Sequence, residues 1–375
     1  MSLIHLGIPA LVPLIQEELK LSRTEVGLIS AVLNGGVASA AIAAGKAADR
    51  IGERFIMAFG AIAIGLIAVG MNWTTSFGAF LFVLLLIGLA TATSTPAGSK
   101  AVAGWFSGRE RGTAMGIRQT GIPLGGSIAA LSLPSLALRF GWRFALTFAG
   151  LIAIGMGFAV LRLYEEPSGA NLPGTVKAVM GVRDLLLMRE IWAVLVYVFI
   201  LSGAQWCYLT YIELYLTQSL HFPITTAATL LALGQIFGTG GRIGWGVVSD
   251  RLLGGRRRPA LLLVGFLAIL TTLGISLFSS QTPFALVSSV VALAGLTVMG
   301  WNGLYLALIS ELVGTRMAGL SIGLSNTGAF LGIVVLPPLF GFLVDHSGSY
   351  RLAWMGLAGM ILLALSLLPW IHEQE

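Results

Sequence analysis

Three basic residues, Lys100, Arg118 and Arg242, stand inside long apolar stretches of this sequence. A charged side chain there is expensive unless it has a partner or marks the path of a charged solute. Guanidinium stays charged at any physiological pH and offers a planar fork of donors that holds a carboxylate through two parallel hydrogen bonds. Few acids oppose these bases: Glu213 lies near the end of one apolar run and Glu311 at the end of another. If the three bases face one cavity, that cavity is net positive and takes an anion.

Arg242 precedes Asp250 by eight residues, about 12 Å along a helix at 1.5 Å per residue. Arg118 lies seven residues past Arg111, about 10 Å into its run, beside Gln119 and Thr120. Lys100 stands five residues before Trp105-Phe106, close enough to the end of its run to reach water with its long stem. Neutral polar and aromatic residues complete the set: Gln205, Trp206, Tyr208 and Tyr211 in one run, Trp301, Asn302 and Tyr305 in another, with Asn326 and Asn34 in two more. Aromatic rings interleaved with hydrogen-bonding groups suit a small organic body. The alternatives are plain: an aromatic can be packing or interfacial belt, and Arg242 can snorkel or tie down the turn that follows it.

The elements that position these residues are membrane helices. Of 375 residues, 56% are hydrophobic and 10% charged, with a mean hydropathy of +0.90, against about 25% charged in an ordinary soluble domain. A span needs roughly 20 apolar residues, and twelve candidate runs are present, so the fold class is all-α integral membrane with 12 transmembrane helices. The net charge of +6 follows from the excess of lysine and arginine in cytoplasmic loops and implies no nucleic-acid partner. The single cysteine, Cys207, lies inside a run and reads as a buried thiol. The four histidines are scattered and no metal spacing or phosphate loop is present, so neither an enzyme, a metal site nor a cofactor is expected.

In chain order, helix 1 covers Leu3 to Ile15, short for a span and without a basic leader or cleavage site. It is expected to be completed by residues beyond this sequence, or to have its start set late. Helices 2 to 5 are placed at about 24–44, 55–72, 78–106 and 113–138, helix 6 follows Gly141-Trp142-Arg143 and ends near Leu163, and helices 7 to 12 lie at about 191–217, 224–248, 259–279, 283–311, 317–344 and 352–371. Residues 164–190, rich in proline, glycine and charge, read as a cytoplasmic linker between an amino-terminal bundle, 1–163, and a carboxy-terminal bundle, 191–375. The loops on the linker's side hold about fourteen of the 22 basic residues, so they are assigned to the cytoplasm and the chain to the plasma membrane as a multi-pass protein.

Two stretches repeat. Gly45-Lys46-Ala47-Ala48-Asp49-Arg50-Ile51-Gly52-Glu53-Arg54 is answered by Gly246-Val247-Val248-Ser249-Asp250-Arg251 followed by Gly254, Gly255 and three arginines. Both read as tight, charged, water-facing loops. The segment from Gly116 to Gly125 aligns without gaps on Gly323 to Gly332, pairing helix 5 with helix 11. The Gly-x-x-x-Asp-Arg-x-Gly-x-Arg pattern resembles the signature loop of the major facilitator superfamily of transporters. That resemblance implies two pseudo-symmetric six-helix bundles and alternating access. It also implies that Asp49, Arg50, Arg54, Asp250 and Arg251 form a gating latch, with arginines such as Arg54 holding the aspartates and with Glu311 and Arg316 flanking its helix 10–11 counterpart.

Gly240 to Arg251 resembles helix 8 of monocarboxylate transporters and of the oxalate/formate antiporter group, where an arginine at the position of Arg242 binds substrate carboxylate. Ser99 to Phe106 resembles the end of helix 4 in organic-anion:cation symporters, although Ser107 replaces their proline. The drug/proton antiporter element of helix 5 is not matched by Gly121-Ile122-Pro123-Leu124-Gly125-Gly126, and helix 2 lacks the arginine of nitrate carriers. The expectation is a secondary active transporter of a small organic anion, a carboxylate, coupled to protons or to a counter-substrate, working as a monomer in the lipid bilayer. Glu213 is its one embedded acid. The alternatives are a proton-coupled drug or metabolite efflux antiporter, and a non-transporting membrane sensor.

Overall fold

The computed structural model describes residues 1–106, 108–166, 185, 187–313 and 318–371. Arg316 and most of the proposed linker lie outside the described residues. Fifteen α-helices are present among them: α1 (Ser2–His5), α2 (Gly7–Leu19), α3 (Arg23–Ile51), α4 (Glu53–Gly70), α5 (Phe77–Thr91), α6 (Ser94–Trp105), α7 (Gly108–Phe140), α8 (Trp142–Leu163), α9 (Arg189–Gln218), α10 (Ile224–Leu252), α11 (Arg257–Ser276), α12 (Phe284–Val298), α13 (Asn302–Val313), α14 (Ala318–Ser347) and α15 (Tyr350–Leu367). Taking α1–α2, α5–α6 and α12–α13 as interrupted single spans gives the twelve predicted helices in their predicted order. Ten of them are long and apolar enough to cross a membrane. The other two are the short α1–α2 and the more polar α10, which carries Gln235, Arg242, Asp250 and Arg251.

The chain divides into two compact units, Met1–Leu21 with Leu28–Gly174, and Ser22–Gly27 with Thr175–Glu375. Each is bound by close approaches of small residues, the packing device that works where lipid gives helices no hydrophobic drive to associate. In the second unit α10 and α12 meet so tightly that a methyl group added at Gly295 would strike the Gly234 carbonyl. The first unit repeats the contact between α3 and α5, where a methyl at Gly88 would strike the Leu33 carbonyl. Leu33 and Gly234 each stand sixteen residues before the aspartate of the repeated motif, so the two contacts are equivalent. In the second unit α9 is further pinned by three tyrosine hydroxyls: Tyr208 donates to Val291 O at 2.9 Å, Tyr211 to Pro337 O at 2.8 Å, and Tyr215 to Ile275 O at 3.0 Å.

Two spans are broken at corresponding places. The fourth is interrupted at Ala92 and Thr93 between α5 and α6, where Pro96 can give no hydrogen bond to the Ala92 carbonyl and its ring crowds it. The tenth is interrupted at Met299 to Trp301 between α12 and α13. There Trp245 Nε1 takes the Leu296 carbonyl at 2.9 Å, and the Gly300 N–H turns to Thr297 O at 3.3 Å. A side chain inserted into the helix ladder is a recognised cause of such interruptions.

The repeated Asp-Arg motifs differ from the loops expected of them. Asp49-Arg50 and Asp250-Arg251 are helical, in the last turns of α3 and α10. The turn itself is short: Gly52 adopts φ 100°, in the left-handed region open to glycine, and Gly254 and Gly255 adopt 62° and 80°. Helical backbone up to the arginine places a cation at the negative end of the helix dipole. Asp49 is approached by Lys100, at 3.9 Å, whereas the Arg54 side chain goes to the Leu161 carbonyl. Lys100 Nζ also donates to Ala48 O at 2.7 Å and lies 3.8 Å from the buried Glu53. Burial pushes the Tyr164 phenol up to about 12, so its hydroxyl stays protonated and donates to Glu53 Oε1 at 3.3 Å. In the second unit Arg257 bonds both Asp250 and Glu311.

The α10–α12 contact sets a direct test. Gly295→Ala is expected to lower the stability of the detergent-purified protein by about 1–3 kcal/mol, the usual effect of overpacking. Gly240→Ala on α10, where an added methyl meets nothing within 4 Å, should be neutral or stabilising by up to about 1 kcal/mol. Equal melting curves for the two variants would refute the contact.

Candidate functional site

Discontinuous membrane helices at corresponding positions of two halves are where transporter folds commonly build substrate and ion sites, because free backbone groups are available there. In the second unit the break after α12 frees the Met299 carbonyl, which becomes the centre of a polar cluster. Arg242 Nε on α10 donates to it at 3.3 Å and Asn302 Nδ2 on α13 at 3.2 Å. Asn302 Nδ2 also donates to Gln205 Oε1 on α9 at 3.1 Å. One turn further, the Tyr305 hydroxyl donates to Asn326 Oδ1 on α14 at 3.1 Å. The Trp301 ring fills the space beneath, 5.0 Å from the Tyr305 ring and 6.0 Å, edge to face, from the Tyr197 ring.

Five predicted residues from four spans are thus brought together: Gln205, Arg242, Trp301, Asn302 and Asn326. The glycine contact between α10 and α12 is what carries Arg242 to the break. Arg242 is half-buried, and among the described residues its two terminal nitrogens make no hydrogen bond or ion pair. Its fork therefore remains open, and no carboxylate of the described residues neutralises it. An open guanidinium fork beside neutral amides and an aromatic wall can seat a small anion with an organic body.

In the first unit Arg118 on α7 reaches the first turn of α6, just past the other break. Its terminal nitrogens donate to Ser99 Oγ at 3.2 Å, Ser94 O at 3.0 Å and Thr95 O at 3.1 Å. Gly98 leaves room for the guanidinium, since a side chain there would collide with it. Both terminal nitrogens of Arg118 are thus directed to protein atoms. Gln119 beside it is half-buried.

The remaining predicted residues sit apart from the cluster at Met299. Lys100 lies on the Asp49–Glu53 end of α3 and α4. Tyr208 and Tyr211 give their hydroxyls to backbone carbonyls. Asn34 is buried, donates to Ser30 O at 2.9 Å and pairs with His5. Sequence reasoning missed the Met299 carbonyl, the Tyr197 ring, the serine and threonine carbonyls around Arg118, and Arg257. Pro96 and Gly300 were the available signals for the breaks, and the position of Arg257 seven residues after Asp250 was the signal for its pairing.

Comparison with known proteins agrees with this architecture. A bacterial homologue of the human lysosomal transporter Spinster, solved in an inward-facing and occupied conformation, superposes with a TM-score of 0.83 at 14% identity over 98% of this chain and 94% of its own. The probable sulfoacetate transporter SauU of Cupriavidus necator is 25% identical over 96% of this chain and 87% of its own length. The membrane sensor protein UhpC of Salmonella typhimurium is 27% identical over 94% and 84%. The family model described as Major Facilitator Superfamily matches residues 5–337. With its twelve helices, its repeated Asp-Arg helix ends and that match, the chain belongs to the Major Facilitator Superfamily of transporters.

Proposed function

We propose that this protein is a secondary active transporter of a small organic anion, a carboxylate, working by alternating access and driven by protons or by exchange for a counter-substrate. The observation that carries this reading is the open fork of Arg242 at the break in the tenth span, with no acid among the described residues paired to it. A carboxylate seated there takes two charge-assisted hydrogen bonds and neutralises a cation held at membrane depth. Gln205, Asn302 and Asn326 supply neutral donors and acceptors for the rest of the solute, and Trp301 an apolar wall. The similarity to a probable sulfoacetate transporter fits an organic anion.

The excess of lysine and arginine on one set of loops assigns the Asp-Arg helix ends to the cytoplasmic face of the plasma membrane. There Asp49, Lys100 and Glu53, and Asp250, Arg257 and Glu311, act as a charged latch. A second reading, a sensor that binds ligand without moving it, is favoured by the similarity to UhpC.

Uptake of a panel of labelled small carboxylates into proteoliposomes under an inward proton gradient tests the first reading. Arg242→Lys keeps the charge and loses the fork. It is expected to raise KM about 10- to 100-fold for the transported carboxylate, the loss of roughly 1.5–3 kcal/mol of charged hydrogen bonding. An unchanged KM would place the anion elsewhere. Ligand-induced thermal stabilisation without any flux would establish the sensor instead.

Lys100→Ala gives the converse result. Because Lys100 Nζ is held by Ala48 O and two carboxylates, its loss should change maximal rate and thermal stability while leaving KM within about twofold, as expected for a residue that does not touch substrate. A KM that rises as in the Arg242 variant would assign Lys100 to the substrate.

A further inference from the structure

Glu213 on α9 is the one acidic residue among the described helices that lies more than a turn from a helix end. It is 0% exposed, and neither carboxyl oxygen has a hydrogen-bond partner. Among the described residues no base reaches it either: Arg23 lies with Asp345, and Arg257 with Asp250 and Glu311. The charged and titratable groups on the elements packed against α9 are engaged or directed elsewhere. Asp345 on α14 accepts from the backbone N–H groups of Arg23 and Thr24, and the Tyr350 hydroxyl on α15 donates to Gln218. Tyr305 and Glu311 on α13 go to Asn326 and Arg257, and Arg242 on α10 to Met299 O. His346 and Arg351 stand exposed on α14 and α15. On α9 itself, Tyr208, Tyr211 and Tyr215 hold carbonyls of other residues, and Cys207 is a buried thiol.

A carboxylate in such a place would be an uncompensated charge without a single donor, which protein interiors do not tolerate. A carboxylic acid with its proton on is a neutral group of ordinary size. The same helix carries Gln205, eight residues earlier, which is joined through Asn302 to the Met299 carbonyl and Arg242. One helix thus holds an acid that this conformation accepts only as the neutral form and a residue of the anion-seating cluster. We propose that Glu213 is the proton-carrying group of the transporter: it is loaded in the conformation described here and releases its proton when α9 brings it to water. This inference rests on the anion-transport reading above and assigns that reading's driving ion.

The test separates proton drive from exchange. The parent protein and Glu213→Gln, which keeps size and polarity but cannot ionise, are reconstituted with whichever carboxylate of the panel the parent transports. Each is assayed for accumulation driven by a pH gradient with the membrane potential clamped, and for counterflow at equal pH. The expected result is accumulation reduced about tenfold or more in Glu213→Gln, with counterflow within about twofold of the parent. Accumulation equal to the parent's overturns the assignment and leaves Glu213 a protonated packing residue. A parent that exchanges but shows no response to the pH gradient also overturns it, while the anion reading stands. A parent with neither activity removes both. Should Glu213→Gln not fold, Glu213→Asp is expected to shift the pH of half-maximal accumulation with counterflow retained, and an unshifted profile overturns the proposal.

Discussion

An arginine held inside a membrane helix needs its compensation within the reach of one side chain, and that requirement organises the second unit. The Met299 carbonyl answers one of the five N–H donors of Arg242. For that carbonyl to be available the tenth span must be broken, and for Arg242 to reach it α10 must lie almost in backbone contact with α12. Gly234 and Gly295 permit the approach. Trp245, drawn in by the same approach, takes the Leu296 carbonyl and so unravels the ladder that would otherwise have consumed Met299 O. Asn302 then ties the loosened end to α9 through Gln205. The polar cluster is a consequence of packing as much as of polar residues.

The first unit makes the same glycine contact and the same break, yet treats its arginine differently. Eight residues before Asp49, where the second unit has Arg242, it carries Ala41. Its arginine comes from α7, at the position that the repeat pairs with Ser325. Arriving from another helix, Arg118 lies along the first turn of α6, where serine hydroxyl and carbonyls are within reach of both its terminal nitrogens. Two halves built on one plan thus hold one closed guanidinium and one open one.

Much of this was legible in the sequence, and what was not has physical reasons. Twelve apolar runs separated by charge could hardly be anything but spanning helices, and the doubled Asp-Arg motif carried the family. The positions of Gln205, Asn302 and Asn326 followed from polar residues being rare at depth. The motif itself was misread as a loop because glycine and charge signal turns, whereas only Gly52 and Gly254-Gly255 leave the helix and the Asp-Arg pairs remain within it. The Met299 carbonyl was invisible, because a backbone acceptor has no letter of its own. Lys100 and Arg118 were grouped with Arg242 by type and depth, and Lys100 also by a resemblance, and none of these says which carbonyl a long side chain will find.

In this protein Lys100, Arg54, Arg118, Arg242 and Arg258 all donate to main-chain carbonyls, of Ala48, Leu161, Ser94 and Thr95, Met299 and Ile371 respectively. Carboxy-terminal helix ends and breaks, as at Leu161 and Met299, leave carbonyls without helical partners, and in a membrane no water replaces them, so bases gather there for structural reasons. Proximity to a break therefore does not by itself mark a ligand site. What distinguishes a base that can bind a solute is the number of donors left after the carbonyl is served: both terminal nitrogens of Arg118 are taken up by protein atoms, whereas Arg242 serves Met299 through Nε alone and keeps the two nitrogens that form the fork.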